Sequence, residues 1–249
     1  MLSRLLEAAL ELIFPPPRAC PLCETHSPQA GVCMDCRELL AGYAGEQTCS
    51  LCGCFILHTY PAAGDVRGTC AHCGGGRPFD LARSVGPYEG PLREAVHRLK
   101  YRKVRWLARP LAALMSETVR QEPLFQRSAG LVPVPLSPDR ENRRGFNQAA
   151  LLAGALGEIT GIPVLKGVAA RVRETPPQTC LSRRERLRNL EGAFAVTAPH
   201  LVKKRNITIV DDVYTTGSTV SILSQELRQA GTTGILVITF AGTRQTAVF

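Results

Sequence analysis

The sequence predicts an α/β protein with a mainly parallel sheet, preceded by a small cysteine-rich module. Two observations lead to this prediction. From residue 78 onward, strand-length apolar segments alternate with helix-length ones, which is typical of parallel sheets with helical crossovers. Nine of the ten cysteines lie within residues 20–73. We therefore expect three parts, namely residues 1–18, residues 19–77 and residues 78–249.

Composition narrows the class of protein. A chain of 249 residues with 45% hydrophobic and 20% charged residues has enough apolar content for a sizeable core, which excludes a wholly disordered chain. Its net charge of +9 and pI near 9.3 favour an anionic partner without identifying it.

The first part, residues 1–18, is predicted to be a short amphipathic helix that stops at three prolines. Glu7 and Glu11 interrupt its apolar residues, which is unlike a secretory signal, and the segment is too short to span a bilayer. A helix lying on a membrane surface is the alternative. We expect a cytoplasmic protein without a transmembrane segment.

The second part, residues 19–77, carries four Cys-x-x-Cys pairs. Two such pairs complete a closed tetrahedral Zn²⁺ site, which holds structure and leaves no position for catalysis. Nine residues separate the first two pairs and seventeen the last two, so we expect two consecutive structural sites, although interleaved pairing remains open. The expected ligands are Cys20, Cys23, Cys33, Cys36, Cys49, Cys52, Cys70 and Cys73.

Other chemistry for these cysteines is disfavoured. A disulfide framework needs an oxidising compartment, and a redox Cys-x-x-Cys motif is rarely repeated four times. With eight thiols available, His26, His58 and His72 are expected at the surface, and Cys54 is left as a spare.

The third part is predicted to contain five strands and four helices. Runs rich in β-branched residues indicate the strands, and apolar residues at helical spacing indicate the helices, as with Leu107, Leu111 and Met115. The predicted strands span 81–88, 131–135, 164–169, 207–210 and 234–241, and the predicted helices span 91–101, 106–120, 148–160 and 220–230.

The segment 207–219 is the strongest candidate for a ligand site. Asp211 and Asp212 end a buried strand, at the edge where open α/β sheets bind ligands, and suit ribose hydroxyls or Mg²⁺. The loop that follows opens a helix, whose first amides and hydroxyls can hold a phosphate. Its residues are Thr215, Thr216, Gly217, Ser218 and Thr219.

This segment lacks the glycine and lysine pattern of a Walker loop. It resembles the phosphoribosyl pyrophosphate signature of type I phosphoribosyltransferases. That resemblance implies that the two acidic residues hold the ribose 2′- and 3′-hydroxyls and that the loop grips the 5′-phosphate.

Further motifs narrow the resemblance to one family. They include Tyr-Glu-Gly-Pro-Leu-Arg at 88–93, Leu-Lys-Tyr at 99–101, Val-Pro-Val-Pro-Leu at 132–136, Arg-Gly-Phe-Asn-Gln at 144–148, Thr-Pro-Pro-Gln at 175–178 and Arg-Leu-Arg-Asn at 186–189. Together with the cysteine pairs, they resemble the ComF/GntX family over nearly the whole chain. The resemblance implies a double zinc-ribbon module before a type I phosphoribosyltransferase-like fold, and an association with natural transformation.

The same motifs supply further candidate residues. Lys100, Tyr101 and Arg102 follow a predicted helix, where the resembling enzymes carry a loop that meets pyrophosphate, although a solvated basic face is about equally consistent. Other residues are expected at the ligand edge or in a mobile hood, with helix capping as the alternative for the first three. These are Arg144, Asn147, Gln148, Gln178, Arg186 and Asn189.

Three functions remain open from the sequence. The first is binding of phosphoribosyl pyrophosphate and single-stranded DNA in DNA uptake, with arginine-rich segments for phosphates and Tyr101, Trp106 and Phe146 for base stacking. The second is an active Mg²⁺-dependent phosphoribosyltransferase of nucleotide or salvage metabolism, although no general base stands out and the catalytic residues are unknown. The third is a regulatory role, in which the protein binds the ligand without catalysing a reaction and thereby adjusts a DNA partner or a competence helicase.

Overall fold

The computed structural model describes residues 18–27, 31–57, 68–70, 72–74, 76–173 and 190–246. The predicted amino-terminal helix and His58 lie outside the described residues, as do the tenth cysteine, Cys180, and the hood residues Gln178, Arg186 and Asn189.

Four parallel strands form the central sheet, in the order β2-β7-β6-β3. They are β2 (Leu81–Pro87), β3 (Leu131–Pro133), β6 (Asn206–Tyr214) and β7 (Gly234–Gly242). Eight consecutive residues of β7, 235–242, are buried, as expected for a strand covered on both faces. The predicted α/β class with a mainly parallel sheet is confirmed.

Helices cover both faces of this sheet. The helices are α1 (Met34–Ala44), α2 (Gly90–Tyr101), α3 (Ala108–Gln121), α4 (Pro138–Arg144), α5 (Gln148–Thr160) and α6 (Ser218–Gln229), with 3₁₀ turns at Arg105–Leu107, Pro123–Arg127 and Pro199–Leu201. Buried side chains of α2, α3 and α5 pack in one core with Val210 and Phe240. Those of α6 pack in a second core with Ile209 and Val237.

The cysteine-rich part is joined to the sheet domain by backbone pairing. Strand β1 (Phe55–Leu57) pairs in parallel with β8 (Arg244–Thr246), near the end of the chain. Arg244 also forms ion pairs with Glu46 before β1 and with Glu89 before α2. Residues from the two parts therefore form one continuous structure.

One predicted strand, residues 164–169, is wrong. Val164 makes only a single bridge to Leu131, and a turn at Lys166 and Gly167 interrupts the segment. Gly167 has a φ of +72°, a conformation that strands do not use. The strand that does form, β4 (Ala169–Arg171), pairs antiparallel with β5 (Phe194–Val196), so it lies outside the parallel sheet.

Candidate ligand site and cysteine clusters

Asp211 and Asp212, the Asp pair, lie within β6 and not after it. The strand was predicted to end at Val210, but it keeps pairing with β7 from Asp211 opposite Thr239 to Tyr214 opposite Gly242. The two residues are 9% and 3% exposed. The Asp212 amide donates a hydrogen bond of 2.9 Å to Asp211 Oδ1. The Asp pair is therefore buried at the carboxyl edge of the sheet, and a backbone amide holds the Asp211 carboxylate.

Two basic residues from different helices lie near this pair. Lys100, near the end of α2, places Nζ 2.6 Å from Asp212 Oδ2. Arg144, the last residue of α4, donates from Nη1 to Gln148 Oε1 at 2.8 Å, and its guanidinium lies 5.4 Å from the ring centre of Tyr101. Three separate motifs thus bring Lys100 and Arg144 close to the Asp pair. Arg102, by contrast, is exposed beyond the end of α2.

Burial sets the electrostatics of this group. It raises the pKa of Asp211 from 3.8 to about 6, against the attraction of Lys100 and Arg144. It also lowers the pKa of Lys100 to about 8, which Asp211 opposes and Arg144 reinforces. Buried groups with displaced pKa values that converge at a sheet edge are typical of functional sites.

The loop at residues 215–219, here called the phosphate loop, begins directly after β6. Gly217 has a φ of +73°, and a Cβ there would lie 2.2 Å from the Tyr214 hydroxyl, so only glycine fits. Thr216 Oγ1 lies 2.8 Å from Ser218 Oγ, and α6 begins at Ser218. The first amides of a helix lack intrahelical partners and attract anions. The loop is therefore suited to a phosphate.

Asn147 has a structural role in this conformation. Its Oδ1 accepts a hydrogen bond of 3.2 Å from the Ala150 amide, which caps α5, and its Nδ2 donates to the Val134 carbonyl at 3.0 Å. This is the capping alternative that the sequence left open. Gln148 is 5% exposed and receives its hydrogen bond from Arg144.

A cleft of about 520 Å³ lies beside the end of β3 and includes Asn147. Pro133 and Pro135 line one part of it, and Lys166 and Arg171 line another. Sequence reasoning placed Asn147 at the ligand edge but missed Lys166 and Arg171. They lie in and just beyond the segment that was wrongly assigned to one strand.

The first cysteine cluster comprises Cys20, Cys23, Cys33 and Cys36, whose sulfurs all lie within 4.8 Å of one another. The sulfurs of Cys23 and Cys33 are 3.5 Å apart, close to the roughly 3.8 Å edge of a tetrahedron with Zn–S bonds of about 2.3 Å. This group could hold a metal ion and is compatible with structural zinc. It is also fastened to α2, because the buried Arg98 donates hydrogen bonds to the Pro21 and Leu22 carbonyls, at 2.6 and 2.8 Å.

The second cysteine cluster comprises Cys49, Cys52, Cys54 and Cys70, again with all sulfurs within 4.8 Å. Cys54, expected to be a spare, therefore belongs to it. Cys73, an expected ligand, is buried nearby and accepts a hydrogen bond of 3.4 Å from Arg77 Nε. The cysteines of this region are free thiols in the described part of the chain. Four buried sulfurs thus form a group that could hold a metal ion, compatible with structural zinc, and the Cys73 thiol is buried beside them.

The expected base-stacking residues differ in exposure. Tyr101 is 64% exposed and Trp106 is 41% exposed. Phe146 is buried, and the Arg105 guanidinium lies 4.8 Å from its ring centre. Of these three residues, only Tyr101 and Trp106 expose a ring surface on which a base could stack.

No helix within the described residues is long and apolar enough to cross a membrane.

Known proteins whose names refer to competence or DNA utilization match this chain over most of its length. Competence protein F of Haemophilus influenzae is 31% identical over 217 residues, which cover 85% of this chain and 90% of that protein. The DNA utilization protein YhgH of Salmonella typhimurium is 36% identical, covering 83% and 88%. Competence protein ComFC of Bacillus subtilis is 29% identical, covering 82% and 80%.

The chain was also compared with solved structures and with protein-family models. A solved purine phosphoribosyltransferase from Pyrococcus horikoshii is similar with a TM-score of 0.34 and 17% identity, covering 56% of this chain and 75% of that one. No protein-family model matches the chain. The identity and coverage of the curated relatives, together with the motifs in the sequence, show that the chain belongs to the ComF/GntX family.

Proposed function

We propose that this protein binds phosphoribosyl pyrophosphate at the Asp pair and the phosphate loop, and binds single-stranded DNA on the adjoining basic surface, in a cytoplasmic step of DNA uptake. The observation that carries the first half is the convergence of Lys100 and Arg144 on the Asp pair, next to the phosphate loop. The names of the relatives, which refer to competence and DNA utilization, support the second half.

Each part of the sugar phosphate has a matching group. The phosphate loop would take the 5′-phosphate through its amides and hydroxyls, and the Asp pair would accept hydrogen bonds from the ribose hydroxyls. The pyrophosphate would meet the cationic end of α2, where Lys100, Tyr101 and Arg102 lie. Arg144 and Gln148 would border the same space.

Binding would exchange one ion pair for another. Lys100 Nζ and Asp212 Oδ2 are in contact, so a ribose hydroxyl that takes this oxygen releases the ammonium group toward the pyrophosphate. Mg²⁺, if bound with the ligand, would be held near Asp211 and Asp212 and would neutralise pyrophosphate charge, since carboxylates and phosphates are its usual ligands.

Calorimetry with phosphoribosyl pyrophosphate tests this site. The variant Asp211→Asn/Asp212→Asn should lose affinity at least tenfold, because each hydrogen bond to a charged group contributes roughly 1.5–3 kcal/mol. Asp139→Asn, which changes an exposed acid on α4, is the matched control. Equal binding by all three proteins, or binding by none, would remove the site from the proposal.

Single-stranded DNA would lie along the segment that ends α2 and leads into α3. Tyr101 and Trp106 offer ring faces for stacking, and the exposed Arg102, Lys103 and Arg105 offer charge for backbone phosphates. A DNA helicase of the competence machinery is a suitable partner at the same step.

Fluorescence anisotropy with a labelled oligonucleotide tests the DNA surface. Affinity should fall steeply as salt rises, because binding releases counterions. Tyr101→Ala should weaken binding about tenfold, within the range of about 1–3 kcal/mol per stacked base, whereas Arg120→Ala at the far end of α3 should not. Salt-independent binding, or equal loss in both variants, would contradict the surface.

We also propose zinc as the metal of both cysteine clusters, where it would stabilise the module at residues 19–77. Four-sulfur donor sets with tetrahedral spacing favour Zn²⁺. Metal analysis of freshly purified protein should find two zinc ions per chain, and a protein without zinc would refute this assignment.

An active phosphoribosyltransferase is the second candidate. The presence of acidic, cationic and phosphate-binding elements in one place favours it, since such a reaction relies mainly on positioning and charge stabilisation. Release of pyrophosphate on adding a nucleobase and Mg²⁺ would support catalysis. Tight binding without release for every nucleobase would favour a binding role.

A further inference from the structure

Tyr214 lies between the phosphate loop and the second cysteine cluster. It is the last residue of β6, and its hydroxyl lies where a Cβ of Gly217 would point. The Tyr214 ring packs edge-to-face on Phe79, with ring centres 6.2 Å apart. Tyr214 is buried in the same core as Cys52 and Cys73. The residue under the phosphate loop is thus also a neighbour of the cysteines.

Arg77 makes a direct connection along the same path. Its Nε donates to Cys73 Sγ at 3.4 Å, and its Nη1 donates to the Thr216 carbonyl at 3.5 Å. The side chain is partly buried, so water competes with these contacts only in part. One guanidinium therefore joins a cysteine beside the second cluster to the backbone of the phosphate loop.

The positions of these sulfurs depend on what they surround. Four thiolates around a divalent cation are held at fixed distances, whereas free thiols lose that restraint. Cys73 is buried beside these four sulfurs in the same core, so a change in their positions would displace Cys73, and with it Arg77 and the Thr216 carbonyl. A shift of Cys52 would disturb the core that it shares with Tyr214.

We propose that Arg77 and Tyr214 couple the second cysteine cluster to the phosphate loop, so that metal binding at the cluster and anion binding at the loop strengthen each other. Arg77 acts as a positioning residue, because it contacts the loop backbone and not the ligand. The ligand half rests on the proposed binding of phosphoribosyl pyrophosphate. By thermodynamic reciprocity, ligand binding must then raise metal affinity by the same factor.

Hydrogen–deuterium exchange of residues 215–219 in the zinc-loaded full chain tests the coupling without any ligand. In Arg77→Met these amides should exchange about fivefold faster than in the wild type, at the lower end of typical coupling factors, with the zinc content unchanged. Arg83→Met is the matched control, because Arg83 donates to the Ser50 carbonyl beside Cys49 but makes no bond to the loop among the described contacts. Equal exchange in the wild type and Arg77→Met, or equal acceleration in both variants, would overturn the proposal.

Zinc release to a chromogenic chelator tests reciprocity. Phosphoribosyl pyrophosphate should slow release from the wild type and from Arg83→Met by about fivefold, and should have little effect on Arg77→Met. Equal protection of all three proteins would refute the role of Arg77. If calorimetry shows no ligand binding while the exchange difference persists, the ligand assignment fails and the coupling stands.

Discussion

Replacing Asp211 by asparagine is expected to stabilise the fold and to weaken ligand binding. The carboxyl group is buried at the end of the sheet, and its pKa is raised from 3.8 to about 6 despite the nearby Lys100 and Arg144. A change of that size corresponds to about 3 kcal/mol for ionising the carboxyl inside the protein, because a tenfold change in an ionisation constant is about 1.4 kcal/mol. Asparagine removes this cost and keeps the Oδ1 that accepts from the Asp212 amide.

The cost of ionising Asp211 must reduce the stability of the folded protein more as the pH rises. Below about pH 4 the carboxyl is protonated in both the folded and unfolded chains, so it carries no ionisation cost. Between about pH 4 and pH 6 only the unfolded chain loses the proton, and stability falls as pH rises. Above about pH 6 the full cost is present.

Urea denaturation of the wild type and Asp211→Asn at pH 7 and pH 5 measures this difference. At pH 7 the variant should be more stable by about 1–3 kcal/mol, because the raised pKa already includes the attraction to Lys100 and Arg144 that asparagine loses. At pH 5 the gain should be smaller. A variant that is less stable at pH 7, or a gain independent of pH, would show that Asp211 is not held at an electrostatic cost.

Three further predictions test other parts of the site. Gly217→Ala should destabilise the protein by about 2 kcal/mol or more and abolish binding of phosphoribosyl pyrophosphate, because its Cβ would meet the Tyr214 hydroxyl at 2.2 Å and its φ is +73°. Thermal unfolding measures the loss of stability, and calorimetry measures the loss of binding. Unchanged values would contradict the close packing. The variants Cys54→Ser and Cys73→Ser should differ in zinc content. The loss of zinc should be larger in Cys54→Ser, because Cys54 lies within the four-sulfur group. Equal retention of zinc in both variants would show that either cysteine can complete the site. Lys100→Met should shift the pKa of Asp211 upward, since it removes the stronger of the two attractions that oppose burial. As the pH is lowered, ligand affinity should therefore begin to fall at a higher pH than in the wild type, and an unchanged pH profile would exclude that role.

The sequence predicted the parts of the fold that follow from local patterns. Helix α5 spans the predicted residues 148–160, because alanine and leucine favour a helix that Asn147 caps and Gly161 ends. The phosphate loop was also predicted, since its glycine and hydroxyl residues directly follow a buried strand. Both signals depend on neighbouring residues alone.

Features that depend on distant contacts could not be predicted in this way. The extension of β6 through the Asp pair depends on pairing with β7, and the assignment of Cys54 depends on how the chain turns around four other cysteines. The ion pair of Lys100 with Asp212 joins residues 112 positions apart in the sequence. No local pattern encodes these contacts, although both members of the ion pair lie in motifs that the sequence analysis had named.

A crystal structure of the protein grown with phosphoribosyl pyrophosphate and Mg²⁺ tests the central claim most directly. We predict the 5′-phosphate on the amides of residues 217–219, the ribose hydroxyls on Asp211 and Asp212, and Lys100 moved from Asp212 toward the pyrophosphate. A ligand bound elsewhere, for example in the cleft beside β3, or an unchanged contact between Lys100 and Asp212 in a liganded site, would contradict it.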